Sequence, residues 1–360
     1  MPVAFISAAD ALRRLPEFHT VIDARSQDEH ALDHVPGALN WPTLDNAERI
    51  AIGTMYKQVS AFEAKKRGAA IAARNIAAHI EREVLDKPKD WRPLVYCWRG
   101  GNRSNALATI LGAIGFQVTL IEGGYRAWRA ALVEDLAAQA ARHHYRVVCG
   151  PTGSGKTRLL HALAAEGAQV LDLEGLACHR SSVLGHLPGQ PQPSQKRFDS
   201  LLWDALRGFD PARPVYAESE SKKVGNVRVP DGLMEALRAS PCIALQLSDS
   251  ERVALLLEDY AHFVQDPELL IGRLQALRAV RGGAVVDRWI ELVRAGQTPA
   301  MVLDLLAQHY DPMYAASTAR NFARFPDAVP SAPQDRSSEA MRTAARRLLQ
   351  SDTAPAAAAG

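Results

Sequence analysis

One cysteine, Cys97, stands where its sulfur could be chemically reactive. The segment VYCWRGGNRS follows a short apolar run and precedes a helical pattern, so Cys97 lies between a strand and a helix N-terminus. Such a loop turns backbone N–H groups inward, and the helix dipole adds partial positive charge. These features favour the thiolate of Cys97 and an anion held against its sulfur. The expected anion cradle adds glycines for tight curvature and cations for charge: Gly100, Gly101, Arg99 and Arg103.

The spacing from Cys97 to Arg103 is compatible with two chemistries. One is transfer of sulfur or selenium through a persulfide or selenopersulfide, and the other is hydrolysis of a phosphate ester. Upstream runs within residues 22–40 (IDAR, EHALDH and VPGALN) resemble the opening of a rhodanese domain. The cysteine loop here has one residue more than the usual single-domain rhodanese loop, so it should accept a tetrahedral, phosphate-sized anion. Asp23 and Arg25 of the first run are expected to be structural.

A second chemical signal is the run GPTGSGKT at 150–157, which matches the phosphate-binding pattern GxxxxGK[ST] in full. It follows an apolar strand pattern and precedes a helix, as the motif requires. Backbone N–H groups of such a loop surround a β-phosphate, while the lysine reaches terminal phosphate oxygens and the hydroxyl can ligate Mg²⁺. The loop indicates a diphosphate or triphosphate without indicating which molecule carries it. The expected phosphate-binding residues are Gly150, Gly153, Ser154, Gly155, Lys156 and Thr157.

Carboxylates that could hold a metal or activate a group follow two later strand patterns. Asp172 and Glu174 end one of them, and Glu218 and Glu220 end the other. We expect Glu218 or Glu220 to serve, with Asp172 as a further candidate, although surface carboxylates would give the same pattern.

Basic residues fall in loops on the strand-carboxyl side, where an open α/β sheet binds ligands. As a cluster beside the phosphate loop they predict an RNA-facing patch, although each one alone would suit a solvated surface. The candidate tRNA contacts are His179, Arg180, Lys222, Lys223 and Arg228.

Short β patterns alternate with helical patterns in both halves of the chain, which predicts an α/β fold with two parallel-sheet domains. The first domain is predicted at 1–136, with the cysteine loop. A second is predicted at 137–325, with the phosphate loop and a helical C-terminal part from 251 to 314. After Phe325 the composition shifts to Pro, Ala, Ser and Gln, so 326–360 is predicted to be a flexible tail with one weak helix.

Composition excludes several classes of protein. Apolar residues make up 47% of the 360 residues, which excludes global disorder, and a net charge of +2 excludes a polycation, so RNA binding would need a local patch. The four cysteines form no CxxC pair, which excludes a disulfide scaffold and a zinc ribbon. No run has the length of a membrane span, and no secretory leader is visible. We therefore expect a cytoplasmic, soluble monomer.

Five runs in order closely resemble the tRNA 2-selenouridine synthase family: CWRGGNRS, EGGYRAWR, GPTGSGKT, LDLEGLACHR and AESESKKVGNVRVP. The resemblance extends from about Ile6 to about Tyr314. It implies a rhodanese-like domain followed by a P-loop NTPase-like domain. It also implies a transferase that exchanges the sulfur of wobble 2-thiouridine in tRNA for selenium. By the same resemblance, Cys97 is the catalytic cysteine and 150–157 is the phosphate-binding site.

The resemblance further implies two small-molecule substrates. Geranyl diphosphate S-geranylates the thiouridine, and selenium from selenophosphate then displaces the geranylthiol. The implied partners are tRNA and a selenophosphate-supplying enzyme, with Mg²⁺ as a candidate cofactor.

Other functions stay open on the residues alone. One is a rhodanese-type sulfurtransferase acting on tRNA. Another is a phosphatase of the C-x5-R type fused to a kinase-like domain, although Tyr96 stands where such phosphatases usually have a histidine. A third is an ATP-regulated binding protein with an inactive rhodanese module.

Overall fold

The computed structural model describes residues 3–180 and 189–353, which divide into two compact units. The first, here called the cysteine unit, comprises residues 3–138 and 193–204. The second, the phosphate-loop unit, comprises residues 139–180, 189–192 and 205–353. Within these described ranges, no helix is both long enough and apolar enough to cross a membrane.

The cysteine unit contains a parallel five-stranded sheet. Its strands are β1 (Ala4–Ile6), β2 (Thr20–Asp23), β3 (Leu39–Asn40), β4 (Pro93–Tyr96) and β5 (Thr119–Ile121). They pair in the order β1-β5-β4-β2-β3, and every residue of β4 is buried, as is typical of a parallel sheet. The helices of this part of the chain are α1 (Ala8–Arg13), α2 (Gln27–Leu32), α3 (Asn46–Gln58), α4 (Ala61–Glu83), α5 (Asn102–Ile114) and α6 (Gly124–Arg142).

The phosphate-loop unit contains a second parallel sheet. Its strands, with those of a small antiparallel pair, are β6 (Tyr145–Cys149), β7 (Gln169–Leu171), β8 (Val215–Glu218), β9 (Lys223–Val224), β10 (Val227–Arg228), β11 (Cys242–Leu245) and β12 (Val329–Ser331). The main sheet has the order β12-β11-β6-β8-β7, and β9 pairs antiparallel with β10. The predicted α/β class with two parallel sheets is therefore confirmed.

Helices follow the strands of this second part of the chain and then continue as a helical array. They are α7 (Lys156–Ala165), α8 (Leu173–Ala177), α9 (Gln195–Arg207), α10 (Asp231–Ala239), α11 (Asp249–Asp259), α12 (Ala261–Gln265), α13 (Pro267–Gln275), α14 (Arg278–Arg281), α15 (Gly283–Arg294), α16 (Thr298–Leu305), α17 (Asp311–Asn321) and α18 (Ser338–Thr353). A π-helical turn at Leu306–Tyr310 joins α16 to α17.

The Cys97 loop and the 150–157 loop lie at equivalent positions in their two sheets. Strands β4 and β6 are each the third of five in their sheets, and both sheets are parallel. The Cys97 loop follows the carboxyl end of β4, and the 150–157 loop follows the carboxyl end of β6. In open parallel sheets this edge is where ligands bind.

Residues 193–204 belong to the cysteine unit, which corrects the prediction that placed them in the second domain. On α9, the indole N–H of Trp203 donates a hydrogen bond to Asp135 (2.7 Å). The same ring meets Trp128 edge-on, with 5.6 Å between the centroids. Local patterns do not show contacts between residues so far apart in sequence, so the expected boundary after residue 136 could not include this segment.

The chain between β3 and β4 forms a helical hairpin of α3 and α4. Asp45 caps α3 in a reciprocal capping box with Glu48, and Ser60 caps α4 by accepting the N–H of Glu63. Only Val59 and Ser60 lie between the two helices. We call this element the α3–α4 hairpin.

The prediction of a flexible tail is wrong for residues 326–353, while 354–360 lie outside the described residues. Strand β12 pairs in parallel with β11, and α18 packs its apolar stripe into the core beside α7. Met341 of this stripe is 1% exposed, and its Cε lies 2.6 Å from where a Cβ on Gly155 would stand. The predicted weak helix is present as α18, and its packing against the phosphate-loop helix is what the sequence did not predict.

We predict that Met341→Ala lowers the free energy of unfolding by about 2–5 kcal/mol, because it leaves a cavity in a packed core. Chemical denaturation of the full chain measures this loss. The matched control is Arg347→Ala, since this side chain lies on the exposed face of the same helix and should change stability by about 0.5 kcal/mol or less. Equal effects of the two substitutions would show that α18 is not docked.

Candidate active site

The sulfur of Cys97 is surrounded by hydrogen-bond donors from its own loop. Cys97 is buried directly after β4. The N–H of Gly101 donates to Sγ at 3.3 Å, and the hydroxyl of Ser104 donates to it at 3.1 Å. Gly101 is also the N-cap of α5, so the helix N-terminus is directed at the sulfur. The loop therefore directs a backbone N–H, a hydroxyl and a helix N-terminus at the sulfur.

The Cys97 loop is closed by the run GGYR at 123–126, for which the sequence had suggested no role of its own. A Cβ on Gly124, whose φ is +58°, would lie 2.3 Å from the carbonyl oxygen of Cys97. The N–H of Tyr125 donates to that same oxygen at 2.8 Å, and the ring of Tyr125 stacks on Trp98. Only glycine permits so close an approach of two backbone segments. Sequence reasoning missed this role, although the glycine pair was its visible signal.

Arg103 is bound to a carboxylate from another part of the unit. Its Nη1 donates to Oε2 of Glu29 at 2.7 Å. Burial of Glu29 acts to raise its pKa, but the hydrogen bond and charge of Arg103 hold that pKa below its ordinary value. An anion at the cysteine loop must therefore compete with Glu29 for Arg103, whereas Arg99 is exposed. The sequence could not show this pair, because 74 positions separate its members.

Asp23 and Arg25 form a fully buried ion pair under the loop. Arg25 Nη2 donates to Asp23 at 2.6 Å and to the carbonyl oxygen of Asp33 at 2.7 Å, and its guanidinium lies 4.0 Å from the ring centre of Tyr125. Burial acts to raise the pKa of Asp23, but hydrogen bonds from His30 and Arg25 hold it below its ordinary value. Through the ring of Tyr125, the buried pair contacts the run that closes the cysteine loop, which is compatible with the structural role expected from the sequence.

The 150–157 loop has the backbone shape of a phosphate-binding loop. Gly153 and Gly155 have φ of +78° and +86°, and Gly155 is the N-cap of α7. A Cβ on Gly150 would lie 2.4 Å from Oγ of Ser154, which is itself fully buried. Lys156 Nζ donates across the loop to the carbonyl oxygen of Gly150 at 2.8 Å. The loop thus places backbone N–H groups and the Lys156 ammonium group close together, as a phosphate-binding site requires.

A buried arginine that the sequence analysis did not identify holds this loop in place. Arg252 of α11 donates to the carbonyl oxygen of Thr152 from Nε at 3.0 Å and from Nη2 at 2.9 Å. Its charge is balanced by Asp311, which accepts from Nη2 at 2.5 Å. With 100 positions between Arg252 and the loop, no local pattern could have found it.

Of the carboxylates that follow the strands, Glu174 contacts Thr157, and Glu218 contacts Glu174. Glu218 ends β8, and its Oε1 accepts the N–H of Glu174 at 2.8 Å, while its Oε2 has no hydrogen-bond partner in the part of the chain that is described. The Thr157 hydroxyl donates to Glu174 Oε2 at 3.4 Å. Asp172 instead caps α8 through the N–H of Gly175.

Burial raises the pKa of Glu218 well above its ordinary value, and the charges of Asp172, Glu220 and Glu174 add to this effect. A buried carboxyl next to other carboxylates favours the protonated form. Among the described residues, no cluster of three or more His, Cys, Asp or Glu side chains is arranged to hold a metal ion by itself.

The predicted tRNA contacts separate into two groups. His179, Arg180 and Lys223 line the same cleft as the phosphate loop. Within it, Arg180 donates to the carbonyl oxygen of Asp259 at 2.8 Å. Lys222 and Arg228 are not among the residues that line the cleft, and Lys222 pairs with Asp231 at 2.7 Å.

The cleft above the phosphate loop measures about 880 Å³ and adjoins a small apolar cavity of about 50 Å³. Thr152, Leu256, Tyr260 and Tyr310 line both spaces. The cavity is otherwise almost wholly apolar, and its lining includes Phe263, Leu270, Met301, Val302 and Leu305. The π-helical turn contributes Tyr310 to both spaces, and such turns are frequent at functional sites. Because residues from several helices line the cavity, no local sequence pattern predicted it.

Two family models match separate parts of the chain. The family described as "tRNA 2-selenouridine synthase AAA domain" matches residues 143–281, and the family described as "Rhodanese-like domain" matches residues 7–131. A solved rhodanese-related protein from Thermoplasma volcanium is 20% identical, with a TM-score of 0.24, over 37% of this chain and 92% of that chain.

Curated relatives named tRNA 2-selenouridine synthase match most of this chain. The relative from Cupriavidus necator is 33% identical over 84% of this chain and 89% of its own length. The relative from Shewanella piezotolerans is 30% identical over 87% of this chain and 93% of its own length. The relative from Nitrosomonas europaea is 36% identical over 67% of this chain and 63% of its own length. With such identity over most of two relatives, the chain belongs to the tRNA 2-selenouridine synthase family.

Proposed function

We propose that this protein is a tRNA-modifying transferase that converts 2-thiouridine to 2-selenouridine in two steps at two sites. The phosphate-loop unit binds geranyl diphosphate and alkylates the sulfur of the nucleoside. The cysteine unit then delivers selenium from selenophosphate. The observation that carries the first step is the apolar cavity that adjoins the phosphate loop, since a prenyl diphosphate has a charged head and an apolar tail.

In the first step, the sulfur of the thiouridine attacks C1 of geranyl diphosphate. The C–O bond to the diphosphate breaks, diphosphate leaves, and the nucleoside loses its N3 proton. The loop N–H groups and Lys156 stabilise the charge that develops on the departing diphosphate. The cavity measures about 50 Å³, so part of the ten-carbon chain would lie along its mouth, beside Tyr260 and Tyr310.

The residues beside Thr157 fit a Mg²⁺ ion, because this ion prefers oxygen ligands and keeps several waters. Thr157 Oγ1 and Glu174 Oε2 supply such oxygens 3.4 Å apart. Glu218 would act through Glu174, whose N–H it accepts. When bound, the ion would add positive charge next to the diphosphate.

In the second step, the thiolate of Cys97 attacks the selenium of selenophosphate, forms an S–Se bond and releases phosphite. The selenium then attacks C2 of the geranylated nucleoside, and the geranylthiolate leaves. Two equivalents of a small thiol cleave the S–Se bond and are oxidised to a disulfide, which frees the selenouridine and restores Cys97. The donors from Gly101 and Ser104 support the negative charge on sulfur at the start of this sequence.

The two-site proposal predicts opposite effects of two substitutions. Lys156→Ala should slow formation of S-geranyl-thiouridine by at least about 100-fold, because the leaving group loses a charge partner. Cys97→Ser should leave geranylation nearly unchanged but abolish selenation, because an alcohol cannot form the S–Se bond. Mass spectrometry of nucleosides from tRNA incubated with both substrates measures each product. Equal loss of geranylation in the two variants would contradict the division of steps.

If the apolar cavity binds the prenyl tail, a substitution there should weaken binding of geranyl diphosphate without weakening binding of inorganic diphosphate. Val302→Phe adds bulk at the cavity, so affinity for geranyl diphosphate should fall about tenfold, or about 1.4 kcal/mol, while affinity for inorganic diphosphate stays unchanged. Calorimetric titration measures both affinities. The control is Leu303→Phe, whose side chain is exposed and does not line the cavity. Equal weakening of both ligands by Val302→Phe would mean that the tail lies elsewhere.

The raised pKa of Glu218 predicts a pH dependence of stability. The folded protein keeps this proton at pH values where the unfolded chain has released it. The contribution to stability is therefore complete below about pH 4.5 and is lost as the pH rises towards the folded-state pKa. Glu218→Gln removes the titration, so its unfolding free energy should fall less than that of the wild type between about pH 5 and 8.

Urea unfolding across this pH range measures the difference. The exposed Glu235→Gln is the control, and its pH profile should match that of the wild type. A Glu218→Gln profile parallel to the wild type would show that Glu218 is ionised in the fold.

A further inference from the structure

Large apolar side chains are exposed at the end of the α3–α4 hairpin. Tyr56, Val59 and Phe62 are 54%, 75% and 67% exposed, and they fall within seven consecutive residues. Single exposed apolar residues are ordinary, but several so close together mark an interaction surface. We call this surface, together with the cations described next, the hairpin tip.

Positive charge is concentrated at the same place. Residues 55–68 carry four basic residues and one acidic residue, a local charge of +3 against +2 for the whole chain. The basic residues, all exposed, are Lys57, Lys65, Lys66 and Arg67. Glu63, the acidic residue, pairs with Lys66 at 2.6 Å, and the Lys66 ammonium lies 5.0 Å from the ring centre of Phe62. The side chains of the tip thus combine aromatic faces with cations.

The tip is held by regular structure. Both helices are capped at their N-termini, α3 by Asp45 and α4 by Ser60, and the connection between them has only two residues. A Cβ on Gly68 would lie 3.3 Å from Cγ2 of Ile52, so the two helices approach closely there. A rigid surface loses little conformational entropy when it binds a partner.

We propose that the hairpin tip is a docking surface for unpaired nucleotides of the tRNA substrate. Tyr56 and Phe62 stack on exposed bases, and the lysines and arginine contact the flanking phosphates. Proteins bind single-stranded nucleic acid with aromatic side chains, on which the bases stack, and with neighbouring cations, which pair with the phosphates. This inference rests on the proposed function for the identity of the nucleic acid. The hairpin tip is separate from the basic residues that line the cleft above the phosphate loop.

Two sets of substitutions in the full-length protein separate stacking from charge. Tyr56→Ala with Phe62→Ala should weaken binding of an unmodified tRNA transcript by about tenfold or more, with the salt dependence preserved, because stacking is worth about 1–3 kcal/mol per base. Lys65→Gln with Arg67→Gln should weaken binding and lower the slope of log affinity against log salt by about 1.4, since each contact to a single strand contributes about 0.7. Fluorescence anisotropy measures both.

Controls make the result specific. Leu85→Ala removes an equally exposed apolar side chain just after α4 and should leave tRNA affinity unchanged. Phe62→Trp should preserve binding, because a larger aromatic face still stacks. Affinity for geranyl diphosphate should be the same in all these variants, which shows that the phosphate-loop unit is intact.

The failures of the two proposals are distinguishable. A wild-type protein that does not bind tRNA would overturn both the proposed function and this inference. A wild-type protein that binds tRNA, with tip variants that bind it equally well, would overturn the docking surface alone. Co-sedimentation with phosphatidylglycerol vesicles that is lost in the tip variants, with tRNA affinity unchanged, would assign the tip to a membrane surface and would also overturn it.

Discussion

Both candidate sites depend on one constraint, the close approach of backbone segments where a central strand turns into a helix. At the cysteine loop, Gly124 lies so near the carbonyl oxygen of Cys97 that a Cβ there would be 2.3 Å from it. At the phosphate loop, a Cβ on Gly150 would stand 2.8 Å from the backbone carbonyl oxygen of Leu245. Glycine at these positions allows backbone N–H groups to converge on a sulfur in one unit and on a phosphate position in the other. The rest of each unit supports that turn, through the buried Asp23–Arg25 pair in the first and Arg252 in the second.

Features that depend on local pattern could be predicted from the sequence, and features that depend on distant contacts could not. The parallel sheets and the placement of Cys97 and Lys156 after strands follow from short apolar runs and glycine-rich turns. The Arg103–Glu29 pair was not predictable, because it joins residues 74 positions apart. Helix α18 was expected only as a weak helix in a flexible tail, because the Pro- and Ala-rich composition around it gives no sign that Met341 packs into the core. The apolar cavity was missed because several helices build it together.

The two sites differ in the charged groups that surround them: carboxyl groups lie next to the phosphate loop, and an arginine–glutamate pair lies at the cysteine loop. Next to the phosphate loop, carboxyl groups crowd around Glu218, so added positive charge from a metal ion or a bound cation would relieve their repulsion. At the cysteine loop, Glu29 already neutralises Arg103, so an arriving anion must exchange partners with it. A dianionic ligand competes better for a guanidinium than a neutral one does. This exchange would favour a phosphorylated selenium donor over an uncharged one.

The central claim is that the phosphate loop and the apolar cavity together recognise a prenyl diphosphate rather than a nucleotide. Isothermal titration calorimetry of the wild-type protein with geranyl diphosphate, inorganic diphosphate and ATP tests it most directly. The account predicts that geranyl diphosphate binds at least about tenfold more tightly than inorganic diphosphate, with a negative heat-capacity change from burial of the apolar tail. Tighter binding of ATP than of geranyl diphosphate, with geranyl diphosphate and inorganic diphosphate bound equally, would contradict it.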